Sequence, residues 1–159
     1  MGGDGGASLN QAFEFNVTKF HNVTPPPRNF ITAVAIGINN VGEIVGSDDN
    51  GGFAFKAGKF QSITFPGTGV LGTGAWGIND MGIVVGNYEA CSPCAFHGYA
   101  LMNGKYISFD YPGAVDTFAD GINSSGQIVG SYSLDGQTFH GFVTSPVTAA
   151  DFEPANSIH

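Results

Sequence analysis

The chain has few basic residues: Lys and Arg number 5 against 13 acidic residues, which gives a net charge of −8 at pH 7. Charged residues make up 11% of the chain, whereas an average soluble protein carries about 25%. Nucleic acids and anionic membrane surfaces are bound mainly through Lys and Arg. The composition therefore argues against both as partners. Apolar and aromatic residues are plentiful, so the chain is predicted to fold and not to stay disordered.

Long apolar runs are also missing, because no stretch approaches the roughly 20 residues that a membrane-spanning helix needs. The first seven residues, MGGDGGA, lack the basic end and the apolar core of a signal peptide. The sequence therefore predicts no membrane insertion. It leaves two interpretations open, a cytosolic chain or a chain whose signal has been removed.

Cysteine is scarce as well, and the two cysteines, Cys91 and Cys94, form the motif CSPC. A four-ligand zinc site usually takes a second pair, and a redox CxxC normally opens a helix after a strand. Here the motif interrupts a Gly-rich β pattern. We interpret the pair as a disulfide candidate, with free thiols as the alternative, and predict no metal site and no cofactor. A disulfide would indicate a location outside the cytosol.

Glycine is abundant, at 25 residues, and its spacing reveals an internal repeat. One segment recurs three times, as GINNVGEIVG at 37–46, GINDMGIVVG at 77–86 and GINSSGQIVG at 121–130. A second segment recurs between these copies, as FEFNVTKFHNVTPPP at 13–27, FAFKAGKFQSITFPG at 53–67 and YALMNGKYISFDYPG at 99–113. Both segments keep their order along the chain, which indicates one repetitive domain.

The repeat also predicts the domain boundaries. A single β domain is expected over residues 12–145, in units of about 13–52, 53–98 and 99–145. Residues 1–11 are expected to form a flexible N-terminal segment. Residues 146–159 are interpreted as a C-terminal tail or a degenerate last strand.

Each unit shows the period-two alternation of four short strands, separated by Gly-rich turns and ended by Pro-Gly. The sequence therefore predicts an all-β fold with about three four-stranded antiparallel repeats. Four strands in roughly 40 to 46 residues resemble a propeller blade. A β-trefoil is the alternative. An extra hairpin at the N-terminus favours blades, because a closed trefoil would not need it.

The same motifs resemble the extracellular bacterial repeat family called HAF, whose units read GIN-x-x-G-x-IVG, then HAF or HGF, then NG-x-F-x-x-IDFPGA. The matches are the three GIN segments, the pairs His97-Gly98 and His140-Gly141, and the run FDYPGA at 109–114. The resemblance covers roughly residues 12–145. It implies a secreted or cell-surface protein with a repeat β fold, and it transfers no catalytic residues to this chain. Family members generally carry more repeats than this chain.

The small number of repeats predicts self-association. Propellers typically have four to eight blades, and an incomplete array leaves strand edges that seek partners. We expect a homo-oligomer, either a dimer that completes a six-bladed ring or a fibre built by strand exchange. The predicted function is a non-enzymatic, structural or adhesive surface module.

Residues that recur in every unit are interpreted as structural. Asn in an N-x-x-G turn commonly bonds its own backbone, and the turn glycine adopts a positive φ. The matched histidines His97 and His140 are interpreted in the same way and not as metal ligands. The predicted turn residues are Asn39, Gly42, Asn79, Gly82, Asn123 and Gly126.

Positions that differ between units are free to bind a ligand. The position before GIN holds Ile36, Trp76 and Asp120. Trp76 could stack on a sugar or another flat ligand, with Asp116, Asp120 and Tyr88 bonding its hydroxyls. A lectin-like module for a glycan or small ligand is therefore the alternative function, and a small hydrolase or isomerase with an acidic rim pocket is a third. No G-x-S-x-G elbow or phosphate-binding loop is present, so no catalytic residue is predicted.

Overall fold

The computed structural model describes residues 13–15, 19–23, 32–91 and 93–152. The strands are β1 (Phe13–Phe15), β2 (Phe20–Asn22), β3 (Ala33–Ile38), β4 (Ile44–Asp48), β5 (Gly51–Lys56), β6 (Lys59–Ile63), β7 (Val70–Ile78), β8 (Val84–Cys91), β9 (Cys94–Met102), β10 (Lys105–Phe109), β11 (Asp116–Ile122), β12 (Ile128–Ser133) and β13 (Phe139–Val143). A short 3₁₀ helix, η1, spans Ala149–Phe152. The described residues include no helix that has both the length and the hydropathy needed to cross a bilayer.

Three open antiparallel sheets follow one another along the chain. The first sheet pairs β3 to β6 in sequence order, the second pairs β7 to β10, and the third pairs β11 to β13. β1 and β2 form a separate hairpin ahead of them. The predicted all-β, antiparallel fold is therefore confirmed. The trefoil alternative is wrong, because that fold needs a closed barrel and none of the described sheets closes.

The third sheet has three strands where the repeat predicts four. After β13 the chain reaches Pro146, which has no N–H to donate to a neighbouring strand. Val147 N–H instead donates to the Gly126 carbonyl at 2.8 Å, so the chain turns back toward the GIN turn. Residues 146–152 thus form a loop and η1 and no strand. The rest of the predicted tail, and the predicted flexible segment 1–11, lie outside the described residues.

Each sheet begins with the strand that ends at the isoleucine of GIN, and that strand carries a β-bulge one residue before the GIN glycine. The bulged residues are Ile36, Trp76 and Asp120. Beside each bulge, the glycine that ends IVG lies against a carbonyl oxygen of the bulged strand. A Cβ on that glycine would overlap this oxygen in all three sheets; the glycines are Gly46, Gly86 and Gly130. Steric exclusion therefore explains why every copy of IVG ends in glycine.

The sheets pack face to face in series, with an apolar core between each pair. The core between the first and second sheets is built from Val45, Ile63, Ala75, Ile78, Val84, Tyr88, Tyr99 and Leu101. The core between the second and third sheets is built from Ile83, Val85, Ala100, Ala119 and Ile128, together with Phe152 of η1. A smaller cluster joins Val23, which follows the N-terminal hairpin, to Ile44 and Phe53 of the first sheet.

The first strands of the three sheets lie side by side. A Cβ on Gly37 would lie 3.3 Å from Cα of Gly77, and a Cβ on Gly77 would lie 3.1 Å from Cα of Gly121. Backbones approach this closely only where no side chain intervenes. The GIN glycine therefore sets the spacing between consecutive sheets.

We expect Gly86→Ala to destabilise the fold by about 3 kcal/mol or more, because the new Cβ would overlap the Gly74 carbonyl oxygen and crowd the Tyr99 ring. Gly72→Ala is the matched control in the same sheet, since nothing lies within 4 Å of a Cβ built there. This control should change the free energy of unfolding by less than about 1 kcal/mol. Urea denaturation measures both values, and equal losses would contradict the packing argument.

Candidate functional site

The GIN-x-x-G turns are built around the asparagine side chain. Asn79 Oδ1 accepts hydrogen bonds from the backbone N–H groups of Met81 and Ile83, at 3.1 and 3.0 Å. Gly82 N–H donates to the Asn79 carbonyl at 3.0 Å, and Gly82 adopts a φ of 76°. The same geometry recurs in the other two turns, at Asn39, Gly42, Asn123 and Gly126.

The same asparagines also tie consecutive sheets together. Asn39 Nδ2 donates to the Asn79 carbonyl at 3.1 Å, and Asn79 Nδ2 donates to the Asn123 carbonyl at 3.2 Å. We call this row of Asn39, Asn79 and Asn123 the asparagine ladder. At its far end Asn123 is exposed, and its Nδ2 donates to Gln127 of its own turn. Within the described residues no side chain of a preceding sheet donates to the Asn39 carbonyl.

Trp76 and Asp120, expected from the sequence to contact a ligand, both bond to their own sheets. The Trp76 indole N–H donates to Asn87 Oδ1, and the ring packs over Gly74. Ser131 donates to the Asp120 carboxylate. Asn87 and Ser131 occupy the same repeat position, directly after the IVG glycine. The bulge thus turns each side chain toward a polar partner on the neighbouring strand.

The first sheet lacks this polar pair. Its bulged residue is Ile36, and the matched partner position holds Ser47. Among the residues that the structure describes, the buried Ser47 Oγ has no hydrogen-bond partner. The aliphatic side chain at the bulge supplies no donor or acceptor, which accounts for the unpaired hydroxyl.

The four residues predicted to bind a ligand have separate environments. The Tyr88 ring stacks on Phe65 with centroids 3.7 Å apart, and its hydroxyl bonds Ser108 Oγ at 2.8 Å. Asp116 accepts a hydrogen bond from the Phe96 N–H at 3.0 Å and so links the third sheet to the second. Across residues 32–91 and 93–152, no hydrogen bond or ring contact joins two of the four. Their role in binding a ligand stays a prediction.

A row of ring side chains runs from Phe65 across the second sheet, and it was not predicted from the sequence. Phe65 stacks on Tyr88, Tyr88 stacks on His97 with centroids 5.1 Å apart, and His97 Nδ1 lies 2.9 Å from Asp110 Oδ1. The third sheet repeats the first three members as Tyr111, Tyr132 and His140. The recurrence of ring residues at the matched positions of the two repeats was the signal that could have revealed the row. Both histidines therefore lie in ring contacts between strands.

Cys91 and Cys94 are joined by a disulfide that closes the β8–β9 hairpin. The Glu89 carboxylate lies within 4.8 Å of both sulfur atoms. Metal binding by cysteine requires a thiolate, and neither sulfur has one while the disulfide is intact. This cluster is therefore no metal site in the oxidised protein.

Within the part of the chain that the structure describes, the outer face of the third sheet is uncovered and carries an apolar patch. Val129 is 50% exposed and Val143 is 63% exposed, and the two are paired across β12 and β13. The repeat positions equivalent to Val129 are Val45 and Val85, which are both 0% exposed. Aligning the three IVG motifs would have identified Val129 as the counterpart of Val45 and Val85. Its exposure depends on the tertiary structure alone.

No Ser, Thr or Cys in residues 32–91 and 93–152 forms a hydrogen bond with a histidine. Comparison of the chain with protein-family models, curated proteins and solved structures gives no match. The best-defined candidate site is the uncovered face of the third sheet, together with the exposed end of the asparagine ladder at Asn123.

Asn79→Asp tests the ladder. Aspartate keeps the oxygen that accepts from Met81 and Ile83, but it loses the donor to Asn123 and places a carboxylate against a carbonyl oxygen. We expect a loss of about 2–3 kcal/mol near pH 7. The matched control Asn123→Asp has no onward bond and should lose less than about 1 kcal/mol. Urea unfolding compares the two variants, and equal losses would contradict the ladder.

Asp120→Asn tests the bulge. Partial burial raises the pKa of the Asp120 carboxyl, and this effect exceeds the lowering by the Ser131 hydrogen bond. Because the pKa of Asp120 is higher in the folded protein than in the unfolded chain, ionisation of Asp120 lowers the free energy of unfolding. This loss develops as the pH rises from the unfolded-state pKa to the folded-state pKa. The variant should therefore melt at a higher temperature than wild type near pH 7, and the gain should vanish near pH 3. A lower melting temperature near pH 7 would show that the charge is needed.

Proposed function

We propose that this chain is a non-enzymatic β-repeat module that assembles head to tail with further copies of itself, as a structural or adhesive component outside the cell. The observation that carries the proposal is the uncovered face of the third sheet. The first and second sheets each hide the matched face beneath the next sheet. The third sheet has the same kind of face, and no sheet within the described residues covers it.

The exposure of the matched valines indicates how much burial a following sheet would add. Val45 and Val85 are fully buried by the following sheet, whereas Val129 is half exposed. Burying one valine side chain contributes about 1.5–3 kcal/mol. Val143, opposite Val129 on β13, adds to the same patch. A following sheet would therefore gain apolar burial here, as it does at the two internal contacts.

The opposite end of the array offers the complementary surface on β3. Ile38 is 61% exposed, whereas the matched Ile78 on β7 is 9% exposed because the first sheet covers it. Within the chain, the first strand of each sheet packs on the preceding sheet. β3 of one copy would therefore pack on the third sheet of another. The exposed Asn123 amide would then face the Asn39 carbonyl and extend the asparagine ladder by one bond.

The N-terminal hairpin restricts where the copies touch. Val23 packs on Ile44 and Phe53, so the outer part of the first sheet is already covered. Up to Phe152, where the described residues end, the third sheet has no fourth strand that would compete for that place. The contact between copies therefore involves β11, β12 and the Val143 end of β13 in one copy and β3 of the next. This arrangement is heterologous, which produces a ring or a fibre according to the rotation between copies.

Two features support a location outside the cell. Cys91 and Cys94 form a disulfide, and disulfides persist mainly in oxidising compartments. The repeated GIN, HGF-type and FDYPGA motifs resemble the secreted HAF repeats. A structural role also agrees with the low content of charged residues, 11%, because few charges need to lose water when copies pack together.

Val129→Lys should abolish association, because it places a charge in the contact between copies. Light scattering across a dilution series should show wild type gaining mass with concentration and the variant remaining monomeric. Leu71→Lys is the control, since Leu71 is 66% exposed and lies in the second sheet, outside the proposed contact. A monomeric wild type at all concentrations, or a Val129→Lys variant that still associates, would contradict the proposal.

Mixing two variants tests the head-to-tail geometry. Ile38→Lys blocks the β3 face, and Val129→Lys blocks the third-sheet face, so each variant alone should be monomeric. A mixture should form a 1:1 complex, because each variant keeps the face that the other has lost. Size-exclusion chromatography with light scattering measures the mass of that complex. If the mixture stays monomeric, the two faces do not bind each other and the geometry is wrong.

A further inference from the structure

The two grooves between consecutive sheets, on the side of the GIN turns, have different contents. In the groove between the second and third sheets, the segment that follows β13 packs inside. Phe152 of η1 is 6% exposed there and joins the core with Ile83 and Ala100, and Val147 packs beside it. This groove is therefore filled by the chain itself.

The groove between the first and second sheets is open, with a volume of about 690 Å³. Ligand pockets in proteins commonly measure about 300–1,000 Å³. Its apolar wall is formed by Ala54, Ile63, Ile78, Val84 and Leu101. Its polar groups come from Glu43, Lys56, Lys59, Gln61, Asp80 and Asn103.

The polar groups lie where the filled groove has apolar residues. Three matched positions hold Ile83, Met102 and Ile107 in the filled groove, and Glu43, Lys56 and Gln61 in the open one. Glu43 and Lys56 form an ion pair, and Asn39 Nδ2 also donates to the Glu43 carboxylate. At the positions that Phe152 covers in the filled groove, the open groove therefore has polar and charged residues. If an apolar segment filled the open groove, it would remove water from this ion pair and from Gln61. Such desolvation costs free energy.

We propose that the open groove binds a neutral carbohydrate. The two lysines and the two carboxylates that line it balance in charge, so it has no preference for an anion or a cation. The amide, ammonium and carboxylate groups of the lining supply donors and acceptors for hydroxyls. The aliphatic residues of the lining match the apolar face of a pyranose ring, and such a mixed lining is typical of small-molecule sites. This site is separate from Trp76 and from the face that contains Val129.

The test uses the whole chain and nuclear magnetic resonance. Maltose, cellobiose, lactose and N,N′-diacetylchitobiose are titrated separately to millimolar concentration into ¹⁵N-labelled protein. The amides of Gly82, Asn103 and Gly104, which line the groove, should shift with at least one of these sugars. Digalacturonate serves as the charged probe and should bind more weakly than the best neutral sugar.

The matched variant is the double substitution E43I/K56M, which installs the residues of the filled groove. The second sheet folds with Ile83 and Met102 at these positions, so the variant is expected to fold. It should bind the best sugar about tenfold or more weakly, since hydrogen bonds to charged groups are lost. Lys105→Met is the control, because Lys105 occupies the position matched to Lys59 but lies outside the open groove. This control should bind as wild type does.

Several results would overturn the proposal. These are the absence of shifts with all four neutral sugars, shifts confined to the surroundings of Trp76, tighter binding of digalacturonate, or equal binding by E43I/K56M and wild type. A folding check by circular dichroism separates lost binding from lost structure. If E43I/K56M fails to fold, Gln61→Ile replaces it, because the filled groove has Ile107 at that position.

Discussion

The hydrogen bond from an asparagine side chain to the carbonyl of the next GIN turn is the interaction on which the architecture depends. One amide closes a turn with its oxygen and reaches the following sheet with its nitrogen. Burial of Asn39 and Asn79 keeps water from replacing these bonds. The GIN glycine completes the arrangement, because only a residue without a side chain lets the first strands approach to this distance. Turn geometry and the stacking of sheets are thus set by the same tripeptide.

A stack built in this way has two different ends. The second sheet covers the first with its first strand and is covered in turn by the third. The third sheet exposes Val129, although the matched Val45 and Val85 are buried, and the first sheet exposes Ile38, although the matched Ile78 is buried. In the proposed assembly, the equivalence between repeats makes the two ends complementary. The proposed assembly and the proposed sugar groove both follow from comparing matched positions, one at the end of the stack and one between its sheets.

Local patterns predicted the strands, their antiparallel order, the turns and the hairpin ahead of the first sheet, because period-two alternation and Gly-containing turns act within a few residues. They did not predict that the third sheet stops at three strands, where Pro146 and the return of Val147 toward Gly126 divert the chain. They also did not predict the partners of Trp76 and Asp120. A one-residue bulge turns both side chains onto Asn87 and Ser131, and the sequence pattern contains no mark of that extra residue.

The repeat, the all-β class and the residues that each turn needs can be read from the sequence, since they follow from spacing and from the backbone preferences of Gly and Asn. Which copies of a repeated residue are buried depends on how the sheets pack. Val45, Val85 and Val129 are identical in the sequence pattern, and only the presence or absence of a following sheet distinguishes them. Burial depends on neighbours that lie 40 or more residues away along the chain, as the bonds joining Asn39 to Asn79 and Asn79 to Asn123 show. No local pattern records such neighbours, so the faces and grooves that are open for binding emerge only from the packed sheets.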